Sequence, residues 1–368
     1  MNEHLSKKIK YLSFISMIWV VFTHAYNYAD DFLEPTTIIT EGTKPWTMIQ
    51  FLISNNLSSL AVPLFFTISG YLFFRNYEPT LEGYVTKLRS RTKSLLIPLM
   101  IWTILSGVFL VILNQIGFDF VGIVNAHATS FFENGLWGWF KMYSVPAFQL
   151  WFLQQLFSLI IIAPITYVII KHTKLLPFLA FVLFVALRLP EVIQEQGLFY
   201  NYNATAYFLL GSYFGIHKKN ELINRRFSKK VAFSVLFAWL GLGILRTYFC
   251  ATWSPDWKLG AWILHEMFYI LVFLGVVATW ICFEHFIDTS KEHKWLDLCA
   301  ANGIFIFLMQ EPLLHVCFQI IMHYVSSDFA HTICFFGLSI IICVLCIATS
   351  ELLRRHAKKL HSILTGGR

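Results

Sequence analysis

The chain has 368 residues, of which 57% are hydrophobic and only 13% are charged, and its formal net charge is +7. Soluble domains carry about 25% charged residues, so the composition excludes an ordinary soluble protein and indicates a polytopic membrane protein. The seven cysteines lack the paired spacing of a zinc site or a disulfide framework, and we expect them to act as small core residues.

The chain begins with a basic segment, MNEHLSKKIK, that runs directly into apolar residues. No cleavage site of small residues follows, which predicts a retained first span rather than a signal peptide. Apolar runs of suitable length predict about ten membrane-spanning helices. In chain order they cover residues 11–28, 57–75, 94–116, 148–170, 175–189, 203–217, 231–250, 259–286, 301–325 and 331–353.

Charge supports this layout independently. With ten spans and both termini in the cytoplasm, 23 of the 28 Lys and Arg residues fall on the cytoplasmic side, where basic loops belong. The positive net charge therefore follows from membrane orientation, and nucleic-acid binding is not indicated. Residues 118–147 form a long aromatic connection, which we expect to lie at the membrane interface. Without repeats or linkers, residues 1–368 predict one domain in an all-α integral membrane fold.

His24 follows an apolar run, FISMIWVVFTHAY, that should still lie inside the bilayer. It is about 13 residues beyond the expected start of the first span, or ~20 Å into a core ~30 Å thick. This position indicates the outer half of the membrane. One interpretation is an imidazole reaching the outer interface, and the other is a catalytic base, because imidazole exchanges a proton near neutral pH.

The second span contains AVPLFFTISGYLFF, where Ser69 and Gly70 favour a close approach of two helices. A basic segment follows just before the third span. Its four cations are Lys87, Arg89, Arg91 and Lys93. Ordinary positive-inside anchoring explains such a cluster, and so does a site for a polyphosphate ligand, because Arg pairs bidentately with phosphate oxygens.

Three further motifs complete the pattern: QLWFLQQL from Gln149, AYFLLGSYFG at 206–215, and GIFIFLMQEPLLH at 303–315. Together with the first-span histidine, VPLFFTISGYL and the basic run before LLIP, they resemble the integral-membrane acyltransferase 3 family over most of the chain. The resemblance is nearest to branches that modify surface glycans, including the intercellular-adhesion group.

The resemblance implies a ten-helix core, a cytoplasmic acyl-CoA donor that is typically acetyl-CoA, and a sugar hydroxyl as acceptor. It implies no permanently bound cofactor and no metal. By the same likeness His24 is the general base, and the cations between Lys87 and Lys93 hold the phosphates of coenzyme A. A nearby donor should stabilise the carbonyl oxygen. The candidates are Ser69, Gln154 and Gln310.

The sequence departs from the family pattern where many members carry ionisable residues. These positions are Ser13, Gln149, Gln154, Gln155 and Gln310. Two interpretations are open: a divergent branch with its own acceptor, or altered or lost catalysis.

Three charged or titratable residues near the outer ends of spans are candidates for the acceptor side. Arg246 could pair with Glu266 or meet an anionic acceptor, and an Arg inside a span usually has a partner. His265 and Glu266 are adjacent, so they point about 100° apart on a helix and cannot both face one cavity squarely. Interfacial polar residues are the alternative interpretation of this pair.

Two other functions compete with the enzyme. A transporter or flippase for a glycan or lipid-linked intermediate would also need polar residues within spans, although the sequence shows neither a duplicated half nor paired broken helices. A catalytically silent member of the same family is the second. All three are compatible with a multi-pass protein of the bacterial cytoplasmic membrane.

Overall fold

The structure is a computed structural model in which every described element is helical. It describes residues 3–26, 36–40, 42–115, 148–175, 178–179, 202–217, 223–254 and 256–367. No strand occurs within these ranges, which confirms the all-α prediction for the described part of the chain.

Fourteen α-helices, numbered here in chain order, make up the described fold. The first seven are α1 Glu3–His24, α2 Pro45–Phe51, α3 Ala61–Arg75, α4 Leu81–Arg91, α5 Ile97–Gln115, α6 Trp151–Ile161 and α7 Ala163–Lys171. The second seven are α8 Tyr202–Ile216, α9 Lys229–Thr252, α10 Lys258–Phe286, α11 Lys294–Ala301, α12 Gly303–Tyr324, α13 Asp328–His356 and α14 Lys358–Thr365. Short π or 3₁₀ turns join α2 to α3, join α4 to α5, and precede α6.

Within the described ranges, five helical segments are long and apolar enough to cross a bilayer, and a sixth is added if the bent pair α6–α7 forms one span. The five are Pro45–Arg75, Leu81–Phe109, Lys229–Thr252, Lys258–Phe286 and Asp328–His356. Large apolar side chains on these helices are exposed, as expected for surfaces that face lipid. The protein is therefore a multi-pass membrane protein.

The predicted helices at 203–217, 231–250, 259–286 and 331–353 are confirmed within a few residues. The predicted helix at 175–189 and the connection at 118–147 lie outside the described residues. Ten spans and cytoplasmic termini therefore stay predictions.

Two predicted boundaries are wrong in a way that affects the site. The first helix starts at Glu3 and ends at His24, whereas the sequence predicted 11–28. The second helical segment starts at Pro45, well before residue 57, and continues through a π turn and a 3₁₀ turn into α3. The polar residues that interrupt the apolar run were responsible for the second error.

Two helices are broken, which the sequence analysis did not anticipate. The predicted span 148–170 is bent by 63° between α6 and α7, where Pro164 begins a new helix instead of continuing the old one. Helix α12 is interrupted at Glu311, whose backbone is extended (φ −101°, ψ 139°). Proline disfavours helical backbone in the residue before it, so Pro312 explains that interruption.

The chain divides into two compact units. The first contains Met1–Ser69, Lys218–Gly303 and Leu313–Leu345, and the second contains Gly70–His217, Ile304–Pro312 and Cys346–Arg368. The divisions fall inside α3, α12 and α13 and after α8, so neither unit corresponds to a contiguous stretch of sequence.

In the first unit, two lysines anchor the start of α1 through ion pairs. The buried Lys8 ammonium lies 2.9 Å from Glu284 Oε1 and 4.5 Å from the centre of the Trp280 ring. Lys10 reaches Asp297 Oδ1 of α11 at 2.6 Å. These contacts hold one end of the helix whose other end carries His24.

In the second unit, close backbone contacts hold the helices. A Cβ atom at Gly70 would lie 2.2 Å from the Phe208 carbonyl oxygen, so α3 and α8 touch there only because the residue is glycine. This confirms the interpretation of Gly70 as a site of close helix approach. Trp102 Nε1 donates a hydrogen bond to the Leu364 carbonyl at 3.0 Å and so anchors the C-terminal helix α14.

Substitution of Gly70 tests this contact against a matched glycine in open space. We expect Gly70→Ala to lower the free energy of unfolding by ~1–3 kcal/mol, because backbone atoms of α8 must move. In Gly241→Ala the new methyl group meets nothing within 4 Å, and better helix propensity predicts no loss. Thermal unfolding in one detergent measures both, and equal losses would contradict the packing described.

A second expectation concerns the Lys10–Asp297 contact. The hydrogen bond from Lys10 lowers the pKa of Asp297 below its ordinary value of 3.8. A depressed carboxyl pKa adds stability that is complete above the unfolded value and is lost as the pH falls through the folded value. Thermal midpoints measured from pH 6 to pH 3 should show wild type above Asp297→Asn near neutrality, with the difference closing below about pH 4. A constant difference would contradict this expectation.

Candidate active site

His24 is the last residue of α1 and is partly buried. Because the helix begins at Glu3, the imidazole lies about 31 Å along the axis from the first residue. The sequence predicted a position within a helix that continues to residue 28. The structure instead places His24 where the helix stops.

The end of α1 is clamped by hydroxyl groups from the turns between α2 and α3. Ser54 Oγ donates to the Phe22 carbonyl at 2.7 Å, which satisfies one of the carbonyls that a helix end leaves without a helical partner. The Thr23 hydroxyl donates to Ser58 Oγ at 2.6 Å, and Ser58 in turn donates to the Ser54 carbonyl. The two residues that directly precede His24 therefore have fixed partners.

The clamping serines come from a segment between α2 and α3 whose backbone is not α-helical. Residues Leu52–Leu57 form a π turn and Ser58–Leu60 a 3₁₀ turn. Such interruptions inside helices are frequent at functional sites. No prediction from the sequence covered this segment. Its only signal was SNNLSS, a polar cluster within an apolar run.

A second histidine lies near the first. His315, in the second half of α12, is close enough to His24 to interact with it electrostatically, and both imidazoles are partly buried. The sequence analysis assigned no role to His315. The fold thus brings together two titratable rings from residues almost 300 positions apart.

The break in α12 is a second polar centre, within the other compact unit. Gln149 Nε2 donates to the Glu311 carbonyl, which the break releases from the helix, at 3.1 Å. The rings of Phe152 and Phe307 pack beside it with centres 5.7 Å apart. Gln310 is fully buried there, and neither its amide oxygen nor its nitrogen has a hydrogen-bond partner among the described residues.

The remaining predicted carbonyl donors and departures are spread over both units. Gln154 and Gln155 are buried in α6, and Gln155 Nε2 donates to Thr205 Oγ1 at 2.9 Å. Ser13 and Ser69 are partly buried in α1 and α3. Thus two of the departures, Gln149 and Gln310, lie at the break in α12.

The four predicted phosphate-binding cations separate into two pairs. Lys87 and Arg91 lie one turn apart on the partly buried face of α4. Arg89 and Lys93 are exposed. The sequence treated the four as one cluster, but Arg89 points away from Lys87 and Arg91 on α4, and Lys93 lies in the π turn after that helix.

Arg246 has other partners than the one expected. The fully buried guanidinium donates to the Leu264 carbonyl at 3.3 Å and to Asn56 Oδ1, and it lies 5.0 Å from the centre of the Phe268 ring. Glu266 is not among its partners in the described residues. Arg246 thus joins α9 to α10 and to the π turn, and its pairing with an anionic acceptor stays a prediction.

His265 and Glu266 contact each other. Their closest nitrogen and oxygen, Nδ1 and Oε1, are 3.8 Å apart, and both side chains are about three-quarters buried. The His265 ring also packs against Tyr269 with centres 4.8 Å apart. Although their Cα–Cβ bonds diverge on the helix, the two side chains bend toward one another and form one polar group.

Comparison with known proteins connects this geometry to a family. A model of an acyltransferase domain, that of the acyltransferase 3 family, matches residues 7–348, which include the clamp, the basic helix and the break in α12. The chain belongs to the acyltransferase 3 family. This confirms the resemblance carried by the motifs.

The acyltransferase 3 chain is also similar to succinoglycan biosynthesis protein ExoH of Rhizobium meliloti (strain 1021). The two are 25% identical over 379 residues, an alignment that covers 100% of this chain and 94% of ExoH. No solved structure matches the chain. Membership of this membrane family agrees with the apolar helices of the described fold.

Because the buried Gln310 amide has no hydrogen-bond partner among the described residues, we expect its removal to stabilise the protein. Without substrates, Gln310→Leu should raise the free energy of unfolding by ~1–3 kcal/mol, because it removes two buried polar atoms that have no partner among the described residues. Gln155→Leu is the matched control. It removes an equally buried amide that is hydrogen-bonded to Thr205, so we expect a loss of ~1 kcal/mol or more. Thermal unfolding shows whether each substitution raises or lowers the stability. Destabilisation by both substitutions would contradict the description of Gln310.

Proposed function

We propose that the protein is an O-acyltransferase of the bacterial cytoplasmic membrane that moves an acyl group, most simply acetyl, from cytoplasmic acyl-CoA to a glycan hydroxyl. The glycan is extracytoplasmic or lipid-linked. Family membership supports the reaction class. The acceptor class is supported by similarity to a protein named for succinoglycan biosynthesis.

The observation that carries the proposal is the clamped end of α1. A general base must hold its ring in a defined place, since proton transfer works only within hydrogen-bond reach of the attacking group. The Ser54 and Ser58 hydroxyls hold the two residues before His24. Such fixation is what a catalytic base requires, and a histidine that merely reaches the interface would not need it.

In the proposed step, His24 takes the proton from the acceptor hydroxyl while that oxygen attacks the thioester carbonyl. The new C–O ester bond forms as the C–S bond breaks. Coenzyme A leaves as a thiolate and receives the proton back from the imidazolium, so charge and atoms balance. His315 is near enough to His24 to influence its charge during this cycle.

Negative charge develops on the thioester oxygen during the attack, and a prepositioned donor lowers the barrier. The candidates are Ser69, Gln154 and Gln310, and the buried Gln310 amide has no hydrogen-bond partner among the described residues. Gln149 holds the neighbouring Glu311 carbonyl and so fixes the break that presents this amide.

On the acceptor side, we assign His265 and Glu266 to sugar recognition, because a paired imidazole and carboxylate supply both a donor and an acceptor of hydrogen bonds. Arg246 receives a structural role, since two neighbouring elements already occupy its guanidinium. The amide departures of this chain then belong to an active but divergent branch.

The test is ester formation in cells. A strain that lacks the chromosomal copy is complemented with wild type or His24→Ala, and alkali-labile ester on the surface polysaccharide is measured by NMR. We expect wild type to restore the ester and His24→Ala to reduce its rate of formation ~10²–10⁴-fold, the usual contribution of a general base.

His285→Gln is the matched control. His285 is also a partly buried histidine, but its Nε2 already lies 3.1 Å from the Phe227 carbonyl, so its replacement should leave the ester unchanged. Equal protein levels in the membrane are checked by immunoblot. Normal ester in the His24→Ala strain would refute the proposed base, and absence of ester with wild type would favour the silent family member.

A further inference from the structure

Helix α14 begins directly beyond a membrane-spanning helix. The segment Asp328–His356 is long and apolar enough to cross a bilayer, and α14 starts at Lys358. Only Ala357 lies between them, with a non-helical backbone (φ −140°, ψ 54°) that separates the two helices. Because consecutive Cα atoms are ~3.8 Å apart, one linking residue cannot carry α14 far from the surface where the span ends. The helix therefore lies close to the lipid headgroups.

One face of α14 is docked onto the second compact unit. His361, Leu364 and Thr365, which share a face of the helix, are buried. His361 Nε2 lies 2.9 Å from Ser350 Oγ, and the Leu364 carbonyl accepts the hydrogen bond from Trp102. These contacts fix which side of α14 points away from the protein.

The other face of α14 combines apolar and cationic side chains. Leu360 and Ile363 are each about half exposed, and Lys358 and Lys359 are exposed. Leu360 and Ile363 lie one helical turn apart and form an apolar strip, and Lys359 lies one turn before Ile363 on the same side. Basic residues next to exposed apolar residues are typical of helices that lie in the plane of a membrane interface.

Positive charge at this boundary extends to the end of α13. Arg354 and Arg355 occupy its last turn, and Arg354 Nη1 pairs with Glu351 Oε1 at 2.5 Å. Arg355 is exposed, as are Lys358 and Lys359. Clusters of about four to eight Lys and Arg residues directly beyond a span attract anionic lipid headgroups.

A bilayer explains both features of this face, whereas a soluble anion explains only one. A free phosphate or a nucleotide would pair with the cations but would leave the apolar strip in water. At a membrane surface the strip is removed from water, while the cations meet the phosphate groups of the lipids. The combination therefore favours a negatively charged phospholipid surface.

We propose that α14 is a surface helix whose exposed face binds anionic phospholipids. Arg355, Lys358 and Lys359 contact the headgroup phosphates, and Leu360 and Ile363 lie at the boundary with the acyl chains. Because its opposite face is docked, lipid binding holds α14 against the second unit. This inference goes beyond the proposed acyl transfer and does not depend on it.

The start of α9 supplies a matched control. Lys229 and Lys230 are likewise adjacent, exposed and placed at one end of a helix that can cross the membrane. Their helix continues directly into the apolar span, whereas Lys358 and Lys359 belong to a separate helix beside the span. Removing either pair therefore takes the same charge from the membrane boundary, but only one pair lies on α14.

The experiment measures amide hydrogen–deuterium exchange of the purified full-length protein in nanodiscs, by mass spectrometry of the peptide that contains α14. One set of nanodiscs contains phosphatidylcholine alone, and the other contains equal amounts of phosphatidylcholine and phosphatidylglycerol. We expect phosphatidylglycerol to slow exchange in wild-type α14 ~10-fold, because charge attraction adds to the apolar contacts. High salt should remove most of this difference, since it screens exposed charges.

The variants separate charge from apolar contact. Lys358→Gln/Lys359→Gln should exchange equally fast in the two lipids, whereas Lys229→Gln/Lys230→Gln should retain the wild-type difference. Ile363→Ser should exchange faster than wild type in both lipids, because the apolar contact does not require headgroup charge. Cooperative thermal unfolding of each variant verifies that it is folded.

Three results would overturn the inference. Equal exchange of wild-type α14 in both lipids would show that headgroup charge is not recognised. Equal losses from the two lysine pairs would reduce the effect to general surface charge. Protection of α14 by inorganic diphosphate in phosphatidylcholine nanodiscs would identify a site for soluble anions instead. None of these measurements involves coenzyme A or a glycan, so failure of the proposed acyl transfer would not produce any of them.

Discussion

The hydrogen bonds that serine hydroxyls make to the last turn of α1 are the constraint on which the proposed chemistry depends. A helix end leaves carbonyl groups without helical partners, and these groups need other partners. Ser54 supplies one such partner, and Ser58 holds the adjacent Thr23. The same bonds that satisfy the helix end also hold the two residues that precede His24.

Those serines lie on an irregular segment of helix. It consists of a π turn and a 3₁₀ turn between α2 and α3. On this segment the serines meet α1 while Asn56 meets Arg246. Buried Arg246 thus stabilises the turn that fixes the clamp, although it lies on a different helix.

The break in α12 follows the same logic in the second unit. Proline forces Glu311 out of helical conformation, and Gln149 satisfies the carbonyl that is released. Gln310, next to the break, is left buried with its amide unsatisfied among the described residues. At positions 149 and 310, where many family members carry ionisable residues, this chain has neutral amides, of which Gln149 supports the backbone.

The sequence by itself determined the membrane class, most of the long helices and the family. These properties follow from composition, from apolar run length and from motifs in a fixed order, all of which are local or additive along the chain. It also identified His24 and the basic segment, because a titratable or charged residue is conspicuous among apolar neighbours.

Only the tertiary structure decided which polar groups share a site. The serine clamp, the nearness of His315 to His24 and the partners of Arg246 join residues that are distant in the chain. The different exposure of the four cations between Lys87 and Lys93 depends on where the helix and the following π turn place them. Hydrogen bonds and burial are set by three-dimensional proximity, which no local pattern specifies.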